Sequence, residues 1–435
     1  MEGDHNKLPK NAIKEVEETV ANKPLRRSSK HFMVATARRE ILGNPLHRTR
    51  QPPTLRGFFH GHGNGKVYDD RQENMLLPCD FGQFASLPGT PAAPVVDPAF
   101  SFITKVLPST DHVFLVDSCN GLLLFRHYVY TALGFEFRYI VCNPATEQWT
   151  AVPSCYWIDD DPSLLHLTTG TYLVFDPAVS SHFQLVLFWD HVVSDFMTVT
   201  TVHTYSSKAG VWRHSHVDWS EEERQGPWEA WRRRRIDHGI CFICRLPSAF
   251  VGGLLHIVFG RNHILVVDAE GKAQRIIPAP TAHVDSENYA LFVGRSQGLL
   301  HCIVEEGRYE EIPSDELSSD CSRSRKWRSY GLSVWVLHQG SINQEWVLKH
   351  WTTKRQVFGK SCESKDDYHV ATMHPDFNTV FFVQHWDGQL ISYDIDHQEV
   401  CALHSFEQED CRTMTLTPYV PYLSELFLGV IGAHK

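Results

Sequence analysis

No apolar run in the 435 residues approaches the roughly 18 needed to cross a bilayer as a helix, so a membrane-spanning protein is not expected. The first residues, MEGDHNKLPKNAIKEVEE, are polar and charged, with no apolar stretch of the kind a secretory signal needs and too much Glu for an organellar transit peptide. Positive charge is also in short supply. The 41 Lys and Arg stand against 51 Asp and Glu, a formal net charge of −10, which argues against a nucleic-acid partner. The 11 Cys are odd in number and scattered from Cys79 to Cys411, without the density of a disulfide framework. Reduced thiols in a cytoplasmic or nuclear protein are expected.

Motifs that would carry chemistry are scarce too. There is no H-E-x-x-H, and HGNGK at 62–66 falls short of a phosphate-binding loop. One G-x-S-x-G occurs, Gly294-Arg295-Ser296-Gln297-Gly298. A nucleophile elbow needs a helix after the serine, and here the apolar run LLHCIV follows at once, so strand–turn–strand is expected. Cys241 and Cys244, with His238 and His256 nearby, have metal-like spacing but lack a suitably spaced second ligand pair; buried thiols are the better account. His60 and His62 sit in the Gly-rich FFHGHG, which reads as an exposed turn. Asp159, Asp160 and Asp161 form a polar run that reads as solvated. No catalytic group, metal or cofactor is therefore expected, and the chain reads as a non-enzymatic binding protein.

What the sequence does hold is aromatic residues, 12 Trp, 14 Tyr and 25 Phe, together with short apolar runs broken by turn residues. From about residue 110 these runs include HVFLVDSCNGLLLF, YLVFDP, HFQLVLF, GGLLHIVFG, HILVVD, GLLHCIV, TVFFVQHW and QLISYD. Two units recur. One is a polar hairpin whose outgoing strand carries an aromatic or aliphatic residue and often Pro: VCNPATEQWTAVP, TYSSKAGVWRHS, VDAEGKAQRIIP and YDIDHQEVCALH. The other is a Gly followed by an apolar run: NGLLLF, GGLLHIVF, QGLLHCIV and DGQLISYD. Apolar inner strands with a polar outer hairpin form the unit of a propeller blade. A period of about 40–50 residues predicts a mainly β, propeller-like repeat domain of six to eight blades over residues 111–430.

Before it, residues 8–50 read as helical, with Ile13, Val16 and Val20 on one face and Gly43-Asn44-Pro45 as a stop. Residues 51–110, rich in Pro and Gly, read as linker and first strands with no core of their own. SEEERQGPWEAWRRRR at 220–235, the only strongly helix-suited piece after residue 110 and interrupted by Gly226-Pro227, reads as an insertion between blades. Its Trp228, Trp231, Arg232, Arg233, Arg234 and Arg235 are candidate contacts to a protein substrate.

Several of these pieces resemble the plant F-box proteins, especially the grass type with an F-box-associated propeller. They are LPKNAIKEV, PLRR, ARREILGNPLHR, TLRGFFH, and above all the pair CNGLLL and NPATEQW. The resemblance implies a short, degenerate helical F-box-like segment at 1–50 that docks on a Skp-type adaptor of a cullin-RING ubiquitin ligase. Leu8, Pro9, Ile13, Val16, Leu25, Ile41 and Leu42 would be the apolar anchors, and the propeller would present a protein substrate. The segment departs from the family at Glu17 and Glu18, and at Arg38 where a Trp is usual. The alternative is accordingly a propeller-only scaffold or decoy. A propeller hydrolase is a third possibility and would need carboxylates converging in the central channel.

Overall fold

The structure is a computed structural model. It describes residues 55–61, 83–88, 96–107, 113–131, 134–155, 168–193, 196–216, 227, 233–235, 247–259, 262–281, 287–311, 325–339, 344–360, 367–406 and 415–424. The chain divides into two compact units, 1–48 and 49–435, and the first lies wholly outside the described residues.

The second unit is a six-bladed propeller. Strands β1 (Gly57–Gly61) and β2 (Gln83–Ser86) open it. Blade 1 is β3 (Val113–Cys119), β4 (Leu122–Thr131), β5 (Gly134–Asn143) and β6 (Gln148–Val152). Blade 2 is β7 (Thr168–Val174), β8 (Gln184–Val193), β9 (Phe196–Ser206) and β10 (Val211–His216), with β11 (Arg233–Arg235) added beside β9. Blade 3 is β12 (Ser248–Val251), β13 (Leu254–Phe259), β14 (His263–Asp268) and β15 (Ala273–Pro278). Blade 4 is β16 (Glu287–Ser296), β17 (Leu299–Glu311), β18 (Arg325–Gln339) and β19 (Gln344–Thr352). Blade 5 is β20 (Tyr368–Met373), β21 (Thr379–Gln384), β22 (Gln389–Asp394) and β23 (Glu399–Ser405). Two short helices, α1 (Ser101–Thr104) and α2 (Lys354–Phe358), lie between sheets.

Each blade is an antiparallel meander whose leading strand is innermost; β24 (Thr415–Tyr419), β3 and β7 lie side by side in turn, as do β12, β16, β20 and β24. The sixth blade closes the ring with strands from both ends of the unit. β24 pairs with β1, Phe59 opposite Thr417, and β1 pairs with β2, Phe59 opposite Phe84. Residues 51–110, read as linker and first strands, thus supply two strands of a blade.

The apolar runs are continuous because each blade is covered on both faces. Successive side chains of a strand point to opposite sides. Leu122 and Leu124 pack against Leu173, Phe175 and Leu185 of blade 2, while Leu123 and Phe125 pack against Phe59 and Tyr419 of blade 6. Cys302 and Val304 face Val251, Val258 and Ile264 of blade 3, and Ile303 faces Val380 and Phe382 of blade 5. The remaining junctions are filled by Tyr172, Val186, Leu255 and Leu265, and by Phe58, Phe381 and Val383.

The repeated units of the sequence find definite places. All four polar hairpins connect a third strand to a fourth: β5–β6, β9–β10, β14–β15 and β22–β23. Three of the four glycine units are the turn from first to second strand, where Asn120-Gly121, Gly252-Gly253 and Gln297-Gly298 all have positive φ, the geometry of a tight type I′ hairpin. The fourth, DGQLISYD, is not equivalent, for Gly388 (φ 63°) turns the second strand of blade 5 into the third. Both connections demand positive φ, and the glycine signal alone does not separate them.

These turns also tie neighbouring blades together. Cys119 Sγ and Asn120 Nδ2 donate to the Phe175 carbonyl, at 3.3 and 2.7 Å. At the equivalent place, Ser296 Oγ donates to His374 O (2.8 Å) and Gln297 N to Pro375 O (2.6 Å). Asp117 accepts from Leu173 N at 2.7 Å. On the outside, Trp212 Nε1 donates to Pro153 O and Trp346 Nε1 to Pro278 O, which explains the Trp and Pro of the outgoing strands.

Gly121 and Gly253 separate strain from crowding. Both have positive φ, but a Cβ on Gly121 would lie 2.6 Å from Tyr422 Cβ and Val420 O, and one on Gly253 meets nothing within 4 Å. Gly253→Ala is expected to cost about 1–2 kcal/mol from backbone strain alone. Gly121→Ala adds overpacking of about 1–3 kcal/mol, and denaturant unfolding of the two variants measures the difference.

Candidate functional site

The connections between second and third strands all lie on the face opposite the Asn120, Gly252 and Gln297 turns, and that face is uneven. Strands β4 and β5 have 10 residues each, β8 and β9 10 and 11, and β17 and β18 13 and 15. The matching strands of blades 3 and 5 have 6. Blades 1, 2 and 4 therefore stand taller than their neighbours.

Two charged features belong to this tall face. On blade 2, β11 runs along the tip of β9, with Arg233 opposite Thr198, Arg234 opposite Met197 and Arg235 opposite Phe196. It prolongs the edge begun by β10, so these three arginines sit on a strand within a span whose composition suits a helix, because pairing with β9 overrides local propensity. Trp228, Trp231 and Arg232 lie outside the described residues.

Blade 4 carries the other feature. Glu305 and Glu306 are fully buried on β17, pointing to opposite faces of the sheet. Glu305 forms an ion pair with buried Lys354 of α2, whose ammonium also lies 5.2 Å from the centre of the Tyr368 ring. Helix α2 holds that lysine because Thr353 and Gln356 form a reciprocal capping box. Glu306 accepts from Trp351 Nε1 at 3.2 Å, the indole crossing the space left open by Gly331. The other Glu306 oxygen and both amide atoms of Asn288, directly opposite in register, lack hydrogen-bond partners among the described residues. Unsatisfied buried groups cost about 1–3 kcal/mol each, a cost that an entering polar group would recover. Around this cluster the surface is aromatic and basic. Tyr330, Trp351 and Trp386 are exposed, and Lys360 Nζ sits 3.6 Å from the centre of the Trp386 ring. Exposed aromatics over buried charge suit recognition of another protein.

The other candidates from the sequence are dispersed. Leu8, Pro9, Ile13, Val16, Leu25, Ile41 and Leu42 lie outside the described residues, as do Asp159 to Asp161, Cys241, Cys244, His238 and His62. Ser296 is fully buried between two strands, and its hydroxyl is committed to blade 5. His60 does not occupy an exposed turn. It is a buried residue of β1 packed on the rings of His404 and Phe406, because pairing with both β2 and β24 overrides the glycines around it. Of the acids on the inner strands, Asp117 accepts from the backbone N–H groups of Ser118 and Leu173.

Residues 97–300 match the family described as "F-box protein At3g26010-like, beta-propeller". Over that span the chain is similar to the propeller of F-box proteins. The chain is also similar to the F-box protein At5g07610 of Arabidopsis thaliana, 30% identical over 115 residues, or 24% of each protein, so it spans about a quarter of the length of that relative. Among solved structures, an α-L-arabinofuranosidase of Fusarium graminearum aligns at 9% identity with a TM-score of 0.36, over 65% of this chain and 76% of that one. YjhT aligns at 11% with a TM-score of 0.32, over 74% and 88%. Neither likeness bears on function.

Three buried imidazoles at the blade interfaces make the propeller sensitive to acid. Burial holds His256, His301 and His374 each down to about 4, from an ordinary 6.5. The Lys349 ammonium 3.2 Å from His301 Nε2 opposes protonation there as well, and His374 Nδ1 accepts from Asp376 N. Neutral in the fold and protonated when unfolded, each contributes stability that is present above pH 6.5 and lost as pH falls toward 4. Urea unfolding at pH 7.5 and at pH 5 is expected to show a loss of roughly 6 kcal/mol at the lower pH, about 2 kcal/mol for each imidazole.

Proposed function

We propose that the chain is the substrate-recognition subunit of a Skp–cullin–F-box ubiquitin ligase of the plant, grass-like type, working in the cytoplasm or nucleus. The observation that carries this reading is the match of residues 97–300 to the propeller of F-box proteins, downstream of the LPKNAIKEV and ARREILGNPLHR segments. In this role the protein performs no chemistry. It holds a protein substrate near the ubiquitin-charged enzyme and so raises effective concentration. The Skp-type adaptor would receive the helical segment through Leu8, Pro9, Ile13, Val16, Leu25, Ile41 and Leu42, as an amphipathic helix enters a groove.

The substrate would meet the tall face, with the arginines around β11, together with Trp228 and Trp231, on one side and the Trp351–Trp386 surface on the other. A closed ring suits such a task. Its strands are fixed by packing on both faces, which leaves the hairpin tips free to vary without loss of the core.

A second reading rests on Glu17, Glu18 and Arg38, which bring charge into the segment that would dock. Burying an unpaired charge in an apolar groove is costly. The chain would then be a scaffold or decoy that binds through the propeller alone.

Adaptor binding separates the two. The full chain is expected to bind a purified plant Skp-type adaptor, and a chain beginning at residue 51 is not. Ile13→Asp with Leu25→Asp is expected to weaken binding by more than about thirtyfold, the loss of at least 2 kcal/mol usual for buried anchors. A folded full-length protein that leaves the adaptor unbound in calorimetry would establish the scaffold reading instead.

A further inference from the structure

The outer edges of blades 1 and 2 meet at a cluster of ligand atoms unlike anything else among the described residues. Cys155 lies three residues past the end of β6, on the segment leaving blade 1. That segment is fixed against blade 2 because Trp212 of β10 donates its indole N–H to Pro153 O at 2.7 Å. On blade 2, His203 of β9 and His214 of β10 occupy directly opposed positions across the pair. Cys155 Sγ is 3.3 Å from His203 Nδ1, and His203 Nδ1 is 2.5 Å from His214 Nδ1. All three ligand atoms lie within 4.8 Å of one another.

The two rings meet edge to face, at an interplanar angle of 78°, so their nitrogens converge instead of stacking past each other. His203 is buried, Cys155 is half-buried and His214 is exposed. Burial pushes the Cys155 thiol up to about 12. With no ion beside it the group is a neutral thiol, which suits neither a nucleophile nor a redox sensor.

We infer that Cys155, His203 and His214 form a binding site for a divalent transition metal, with zinc the best fit, which staples the outer strands of blades 1 and 2. One thiolate and two imidazoles are the mixed sulfur and nitrogen set that zinc prefers. Tetrahedral zinc with bonds of about 2.3 Å to sulfur and 2.0–2.1 Å to nitrogen sets its ligands about 3.3–3.6 Å apart. The sulfur-to-nitrogen separation already has that value. The two imidazoles must part by about 0.8 Å to reach it, and His214, exposed on an edge strand, has room to turn outward. Binding transfers the Cys155 proton to solvent as the sulfur–metal bond forms, with no change of oxidation state. Three protein ligands leave the fourth position for water.

The staple joins segments far apart in sequence and closes the loop between Cys155 and His203, so its effect falls on the stability of the blade 1–blade 2 junction. It is independent of adaptor binding and of the substrate face.

The test uses the full chain, stripped of metal and titrated with Co²⁺ and then Zn²⁺. The wild type is expected to take up one equivalent of Co²⁺ with a thiolate-to-cobalt charge-transfer band and tetrahedral visible bands, both abolished when Zn²⁺ displaces it. Cys155→Ser should lose the charge-transfer band and His214→Ala should weaken binding more than about tenfold. A Cys241→Ser, Cys244→Ser double variant should keep the signal. Zn²⁺ should raise the melting temperature of the wild type and of that double variant, but not of Cys155→Ser or His214→Ala. Since His214 is exposed and Cys155→Ser is nearly isosteric, the metal-free melting temperatures should match the wild type, which shows that lost binding is not lost folding. A wild type without the thiolate-linked cobalt band overturns the inference. So does a band that survives in Cys155→Ser and vanishes in the Cys241, Cys244 variant.

Discussion

Burial of every blade on both faces is the constraint from which the rest follows. A strand such as Leu122–Thr131 sends Leu122 and Leu124 one way and Leu123 and Phe125 the other, and both sets are fully or almost fully buried. An apolar side chain of this size is worth about 1.5–3 kcal/mol when removed from water. A blade with an open side would forfeit half of that benefit and expose a large apolar surface. The arrangement is stable only as a closed ring. Closure in turn requires the sixth blade to draw on both ends of the unit, with β24 innermost and β1 outside it, and Phe58 and Phe59 filling the two junctions at its sides.

Hydrophobic packing is not directional, so it does not by itself fix how far one blade is turned against the next. Hydrogen bonds supply that. The Asn120-Gly121 turn reaches Phe175 O, and the Gln297-Gly298 turn reaches Pro375 O, each joining one face of a blade to the end of its neighbour's inner strand. Further out, the Trp212–Pro153 and Trp346–Pro278 bonds set the spacing of outer strands. The C-terminal residues join the same scheme, since Asn143 Nδ2 donates to Tyr422 O and Ser424 O while Tyr422 lies over Gly121. The two sequence pieces that most resemble F-box proteins, CNGLLL and NPATEQW, thus converge on one place in the fold, where they anchor the end of the ring.

Much of this was legible from residues, for physical reasons. Polar hairpins announce themselves because the turn residues are restricted by backbone geometry, and all four of those identified join a third strand to a fourth. The unit DGQLISYD shares the glycine signal of the other three yet opens a third strand, because Gly at positive φ serves two different turns and only pairing register tells them apart. FFHGHG was read as an exposed turn on the strength of its glycines. Its burial depends on β24, some 355 residues later, and local pattern carries no trace of so distant a partner. The cluster of Cys155, His203 and His214 escaped for a related reason. The hairpin TYSSKAGVWRHS was recognised, and counting outward equally from its turn pairs His203 with His214. Cys155, however, arrives from the preceding blade, and only the inter-blade bond from Trp212 puts it there.

The same division explains where specificity can reside. One face of the ring is occupied by the turns that hook blade to blade, and changes there propagate into the packing of two blades at once. On the opposite face β17 and β18 outgrow their counterparts and β11 is added to β9. Beneath the extension of blade 4 lie Glu305 paired with Lys354, and Glu306 bonded on one side to Trp351. Buried ionic pairs add little net stability over apolar residues of the same volume, although breaking one is costly. A propeller core already complete in apolar residues does not need them for its stability. What the pair supplies is position, since Lys354 of α2 joins Glu305 of blade 4 to the Tyr368 ring of blade 5 beneath exposed Trp351.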